Sequence, residues 1–115
     1  MKAAFVIACV VGFMIANVWS SVHFKFAADS AGKRALFHFI VGNLIGALAP
    51  IALTLALRRA NANVVYALCF GGAFSLLQIV LWRLFQQPLS TIQWIGITCV
   101  GVGIFLLQIR PGQAI

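Results

Sequence analysis

Long apolar runs, separated by short clusters of charged and turn-forming residues, set the organisation of this chain. Four blocks stand out, at 3–21, 36–57, 64–82 and 91–109. Each falls within the ~17–25 residues that a helix needs to cross a bilayer. The runs are continuously apolar, whereas the strands of a membrane barrel alternate apolar and polar side chains. Backbone polar groups inside hydrocarbon must find partners within their own segment, so the blocks are expected to be helices. The connections at 22–35, 58–63 and 83–90 are short and make neighbouring helices antiparallel. The expected fold class is therefore an all-α membrane protein, a single domain of four transmembrane helices with short loops across residues 1–115.

Composition agrees with the pattern. The 115 residues are 63% hydrophobic and 8% charged, where a soluble domain carries about a quarter charged residues. The net charge of +7 rests on eight Lys and Arg. They are scattered singly or in pairs and form no basic patch with interleaved aromatics, so no nucleic-acid partner is expected. Such charges set orientation in a membrane chain. Lys2, Arg58, Arg59 and Arg110 fall on the side of the termini, and Lys25, Lys33, Arg34 and Arg83 on the other. This even split gives the positive-inside rule almost nothing to act on. It is either a chance division or a sign of dual topology, with copies inserting both ways and pairing as an antiparallel dimer. The first block follows Lys2 as a signal peptide would, but it ends in Asn17-Val18-Trp19-Ser20-Ser21, without a small-x-small cleavage site. A retained span is the expectation.

Asp29 is the only acidic residue. Paired carboxylates for acid–base catalysis and acidic clusters for hard metal ions are therefore ruled out. No nucleophile–base motif, phosphate loop or dinucleotide fingerprint occurs, so neither enzymatic activity nor a cofactor is expected. Cys9, Cys69 and Cys99 lie within apolar blocks in no CxxC pair, as small apolar residues rather than a disulfide framework. His23 and His38 are isolated in sequence. They suggest no metal site, and hydrogen-bonded or interfacial imidazoles are expected in preference to titrating groups.

Within the blocks, helical spacing sorts the small and polar residues. His38, Gly42, Gly46, Pro50 and Thr54 recur at steps of four. Gly42 and Gly46 make a GxxxG pair that lets two helix backbones approach closely. Pro50 removes one backbone hydrogen bond and should bend the second helix. Asn17, Ser20 and Ser21 share a face of the first helix that should point into protein, with Asn17 either binding a headgroup or joining helices. In the third helix, Tyr66, Cys69 and Ala73 lie on one face and Gly71, Ser75 and Gln78 on another; Gly71-Gly72 predicts a kink or close packing. Gly96 and Gly103 stand one heptad apart on the fourth helix and predict an interface.

Four short-looped helices, balanced charges and glycine-lined faces resemble the drug/metabolite transporter superfamily, in particular its four-helix small multidrug resistance branch. The stretch from Ala16-Asn17-Val18-Trp19 to His23-Phe24-Lys25-Phe26 resembles the family segment that holds a glutamate, then small hydroxyl residues and a Lys-Phe pair. Val65-Tyr66-Ala67-Leu68-Cys69-Phe70-Gly71 resembles the segment with a substrate-facing tyrosine, a tryptophan and a glycine. Gly96 and Gly103 match glycines that the family uses for dimerisation. Two departures stand at the heart of the pattern: Asn17 replaces the glutamate and Cys69 the tryptophan. An amide neither exchanges a proton near neutral pH nor offers a cation a negative charge. Gln87-Pro88-Leu89-Ser90, followed by Gln93-Trp94-Ile95-Gly96, resembles instead the paired four-helix proteins that flip undecaprenyl-phosphate-linked aminoarabinose.

The resemblance implies a bacterial inner-membrane, multi-pass transporter or flippase-like protein working as a homodimer, or as a heterodimer with a similar subunit. Its helices would move an amphipathic or lipid-linked substrate by alternating access. Asn17, Ser20, Ser21, Tyr66 and His38 would offer neutral hydrogen bonds to the headgroup. Lys25 would meet a phosphate or snorkel to the lipid interface. The alternatives are a multidrug-type cation exporter whose partner subunit supplies the missing glutamate, and a non-transporting accessory subunit that holds a membrane partner.

Overall fold

A computed structural model describes residues 2–109, and Arg110 of the charge tally lies outside the described residues. Every regular element among the described residues is helical: α1 (Lys2–Ala28), α2 (Gly32–Gly46), α3 (Leu48–Leu57), α4 (Ala62–Tyr66), a π-helical turn (Ala67–Gly71), α5 (Gly72–Phe85) and α6 (Thr91–Ile109). Three continuous helical stretches are long and apolar enough to cross a membrane: Lys2–Ala28, Gly32–Leu57 and Ala62–Phe85. The last apolar block is the 19-residue α6. Several long apolar helices of this kind are compatible with a multi-pass membrane protein.

The first two helices run further than the apolar blocks, and the connection between them shrinks to Asp29–Ala31. Hydropathy falls where side chains leave the hydrocarbon, but the backbone hydrogen-bond ladder continues until the chain must turn. Gly32 takes φ +62 as α2 begins, a left-handed conformation that glycine adopts without the Cβ penalty. The second long helix is interrupted at Ala47, three residues before Pro50. Proline has no N–H for the Gly46 carbonyl, and its ring crowds that same oxygen, which places the bend one turn upstream of the ring. The π-turn ends at Gly71, the first of the Gly71-Gly72 pair, where helix propensity is lowest.

Helix α1 is the centre of the molecule. Its Val6, Val10, Phe13 and Ala16 meet Ala49 and Ala56 of α3, with Val65, Cys69 and Ala73 of the third long helix completing the core. These are mostly small side chains, which suits helices joined by close van der Waals packing. Phe13 meets Phe70 edge to face at 5.0 Å. The glycine pair serves two neighbours: a Cβ at Gly71 would stand 3.0 Å from Ile104 Cδ1, and one at Gly72 3.0 Å from Met14.

Helix α6 lies at the edge, and none of its described side chains is buried. Ile97, Val100 and Ile104 form its half-buried inner face, and Trp94 meets Trp82 at 5.9 Å. It begins with a reciprocal cap: the Gln93 N–H donates to Ser90 Oγ at 3.2 Å, and the Ser90 N–H to Gln93 Oε1 at 2.8 Å. Ser90→Ala should cost about 0.5–2 kcal/mol of helix-end stability. Hydrogen exchange at the Gln93 and Trp94 amides should speed up while the amides of α1 stay unchanged.

Candidate functional site

The polar residues of the long helices divide into three groups. In the first, Ser20 is spent on packing. It is 5% exposed, and its hydroxyl donates to the Gly42 carbonyl at 2.7 Å. Gly42 and Gly46 receive α1 of the same chain: a Cβ at Gly42 would lie 2.8 Å from Phe24 Cε1, and one at Gly46 2.8 Å from Ser20 Oγ. Ser20, Gly42 and Gly46 thus form the crossing of α1 over α2.

The second group is the neutral face of α1. Ser21 Oγ donates to the Asn17 backbone carbonyl at 2.8 Å, a bond within the helix. Asn17 is half-buried, and among the described residues its carboxamide makes no hydrogen bond. Tyr66 is exposed, stacked on Phe70 at 5.9 Å, near the opposite end of the helices from Lys25. One chain therefore does not gather Tyr66 with the other polar candidates. A small recess of about 180 Å³ lies between α5 and α6, lined by Phe74, Gln78, Gln93, Gly96 and Ile97. Near it on α5, Ser75 Oγ is buried with no hydrogen-bond partner among the described residues.

The third group sits at the turn between α1 and α2. His23 Nδ1 and His38 Nδ1 are 3.1 Å apart, a hydrogen bond between two helices. Trp19, Phe26 and Phe37 pack around the imidazoles. Phe26 also meets Phe85 at 5.2 Å, which brings the end of α5 to the cluster. Lys25 Nζ pairs with Asp29 Oδ1 at 3.2 Å and stands 6.0 Å from the Phe85 ring centroid. The one acidic side chain of the sequence is thus engaged outside the apolar blocks. Spacing singled out His38 alone. His23 and His38 stand at matching distances on either side of Ser30-Ala31, a signal that an antiparallel helix hairpin turns into contact.

Two apolar concavities adjoin these groups. One of about 640 Å³ is lined by Phe24, Ala27, Ala28, Ala35, Leu36 and Phe39 at the hairpin end. The other, about 360 Å³, runs between α1 and the second long helix beside Gly12, Ala16, Trp19, Ile45 and Ala52. Both could accept acyl chains, but neither offers a polar contact that selects a headgroup. Among the described residues no atom lies within 4 Å of a Cβ built at Gly96, which borders the recess, or at Gly101 or Gly103. Cys9, Cys69 and Cys99 are free thiols. No family model, no characterised protein and no solved structure matches the chain.

Proposed function

We propose that this chain is a small transporter or flippase-like protein of the bacterial inner membrane, moving an amphipathic or lipid-linked substrate by alternating access. The observation that carries this reading is Asn17: a polar side chain half-buried within an apolar helix, with no partner for its carboxamide among the described residues. A polar group in such a place is a functional candidate because leaving it unpaired in hydrocarbon is costly. An amide binds by neutral hydrogen bonds, which suits a sugar, phosphate or amide headgroup better than a bare cation. The apolar concavities beside Trp19 and Phe24 supply room for the lipid tail.

The working unit in this reading is a dimer. The described residues form a flat slab, 17 Å across its shortest principal axis against 51 Å along its longest, and one chain does not bring Tyr66 together with the other polar candidates. The open glycine face of α6 supplies a surface on which a second copy, or a similar subunit, can pack closely.

Reconstitution into lipid vesicles carrying a fluorescent polyprenyl phosphate tests the reading. The protein should carry the probe between leaflets, and Gly103→Leu should abolish both movement and dimer while preserving helix content. Vesicles that move no lipid-linked probe, from protein that instead co-purifies with another membrane protein, would favour the accessory-subunit alternative.

A further inference from the structure

We propose that His23 and His38 together form a proton-binding site that fastens α1 to α2, closed when it holds at most one extra proton and opened by a second. The two Nδ1 atoms face each other at 3.1 Å. A neutral imidazole carries one N–H, so this contact requires one ring to present Nδ1–H and the other a bare Nδ1. One added proton makes the donor ring an imidazolium and turns the bond into a shorter, stronger charge-assisted one. A second proton places hydrogen on both Nδ1 atoms. The bond is then lost, and two like charges stand with ring centroids 5.3 Å apart.

The surroundings favour one cation and oppose two. Phe26 lies 5.3 Å from the His38 centroid and Phe37 5.4 Å, within reach of a cation–aromatic attraction. Trp19 meets the other imidazole at 5.8 Å. The charged groups at this end are Lys25 and Asp29 on α1 and its turn, Lys33 and Arg34 on α2, and Arg83 on α5. Asp29 is bound to Lys25, and Arg83 stands over Trp82 at 5.6 Å. The remaining charges are positive, so no free carboxylate compensates a doubly protonated pair. A transition metal would also accept two nitrogens at this separation. Among the described residues, however, no third His, Cys, Asp or Glu joins them, and the hydrogen bond accounts for the distance by itself.

Linking this site to movement rests on the transport reading. A proton that loosens α1 from α2 would supply the coupling step for which the helices hold no carboxylate. Proton binding itself does not depend on transport, and its test is independent of any substrate.

The experiment is magnetic resonance on nitrogen-15 histidine-labelled protein in lipid nanodiscs. A nitrogen–nitrogen coupling between the two Nδ1 atoms should be present above neutrality and lost in acid, with two protons taken up in separate steps. In His23→Gln and in His38→Gln the coupling should be absent and the remaining imidazole should take up one proton in a single step. Absence of the coupling at every pH, or independent one-step uptake at both rings of the wild type, overturns the proposal. Stoichiometric binding of added zinc at neutral pH that removes the coupling also overturns it, in favour of a metal site. Should the glutamine variants fail to fold, the wild-type coupling and its loss in acid decide alone.

Discussion

Gly42→Ala should destabilise the helix hairpin by about 1–3 kcal/mol, the usual cost of overpacking a closely fitted site. The added Cβ would lie 2.8 Å from Phe24 Cε1, 3.0 Å from Phe24 Cδ1 and 3.2 Å from the Ser20 carbonyl oxygen. The phenyl ring is partly exposed and can swing aside. The carbonyl belongs to the α1 backbone and moves only if the two helices separate. Separation also stretches the 2.7 Å bond from Ser20 Oγ to the Gly42 carbonyl, whose donor is buried. Gly12→Ala is the control, since its nearest neighbour is Ala52 Cβ at 4.0 Å. Thermal unfolding in detergent should show a clear loss of midpoint for Gly42→Ala and almost none for Gly12→Ala. Gly46→Ala should fall between them, because its close obstacle is the Ser20 side chain, and Ser20→Ala, which alone loses the bond to the Gly42 carbonyl, should cost less beside Gly46→Ala than in the wild type. Equal midpoints for the Gly42 and Gly12 variants would show that the hairpin is looser than its crossing implies.

How far the sequence discloses this crossing depends on which physical signal is read. Hydropathy marks the helices because lipid selects composition over a whole span, but it reports depth in the bilayer and not where the helix ends. The stretch 22–28 therefore reads as connection although its backbone remains helical, and His23 vanishes into an apparent loop. Helical spacing groups Gly42 with Gly46 at a step of four and Ser20 with Asn17 at a step of three, because each rests on helix geometry alone. It says nothing of which helix arrives at each face. That depends on crossing angles, which set Ser20 against Gly42 and leave Asn17 half-buried beside it. Pro50 is legible for a local reason: the missing N–H acts on the carbonyl one turn back whatever the surroundings. The π-turn at Ala67–Gly71 is not, since Gly71-Gly72 weakens the helix without specifying how the backbone responds. Ser75 and Gln78 share the face noted from spacing, yet the recess that Gln78 lines against α6 depends on where that edge helix lies.

Asn17→Glu should turn a site indifferent to cations into one that binds them with a pH dependence. The sequence has one acidic side chain, Asp29, and its carboxylate lies 3.2 Å from Lys25 Nζ in the turn beyond α1. A lipophilic cation such as tetraphenylphosphonium therefore finds no counter-charge in the apolar helices. The substitution supplies one at a half-buried position whose carboxamide makes no hydrogen bond among the described residues. Opposite charges ~4 Å apart gain about 4 kcal/mol at an effective dielectric constant near 20. Even a third of that, about 1.4 kcal/mol after desolvation, is a tenfold gain in affinity. The sign follows from the carboxyl group: deprotonated it attracts the cation, and protonated it does not, so affinity should fall as pH falls. Equilibrium binding in detergent should detect tetraphenylphosphonium on Asn17→Glu in mildly alkaline buffer, release it on acidification, and detect none on the wild type or on Asn17→Gln. The acid release should persist when His38→Gln is added, which separates the new carboxyl group from the imidazole pair. Wild-type protein that already binds the cation and releases it in acid would count against a neutral headgroup site at Asn17 and favour a cation exporter.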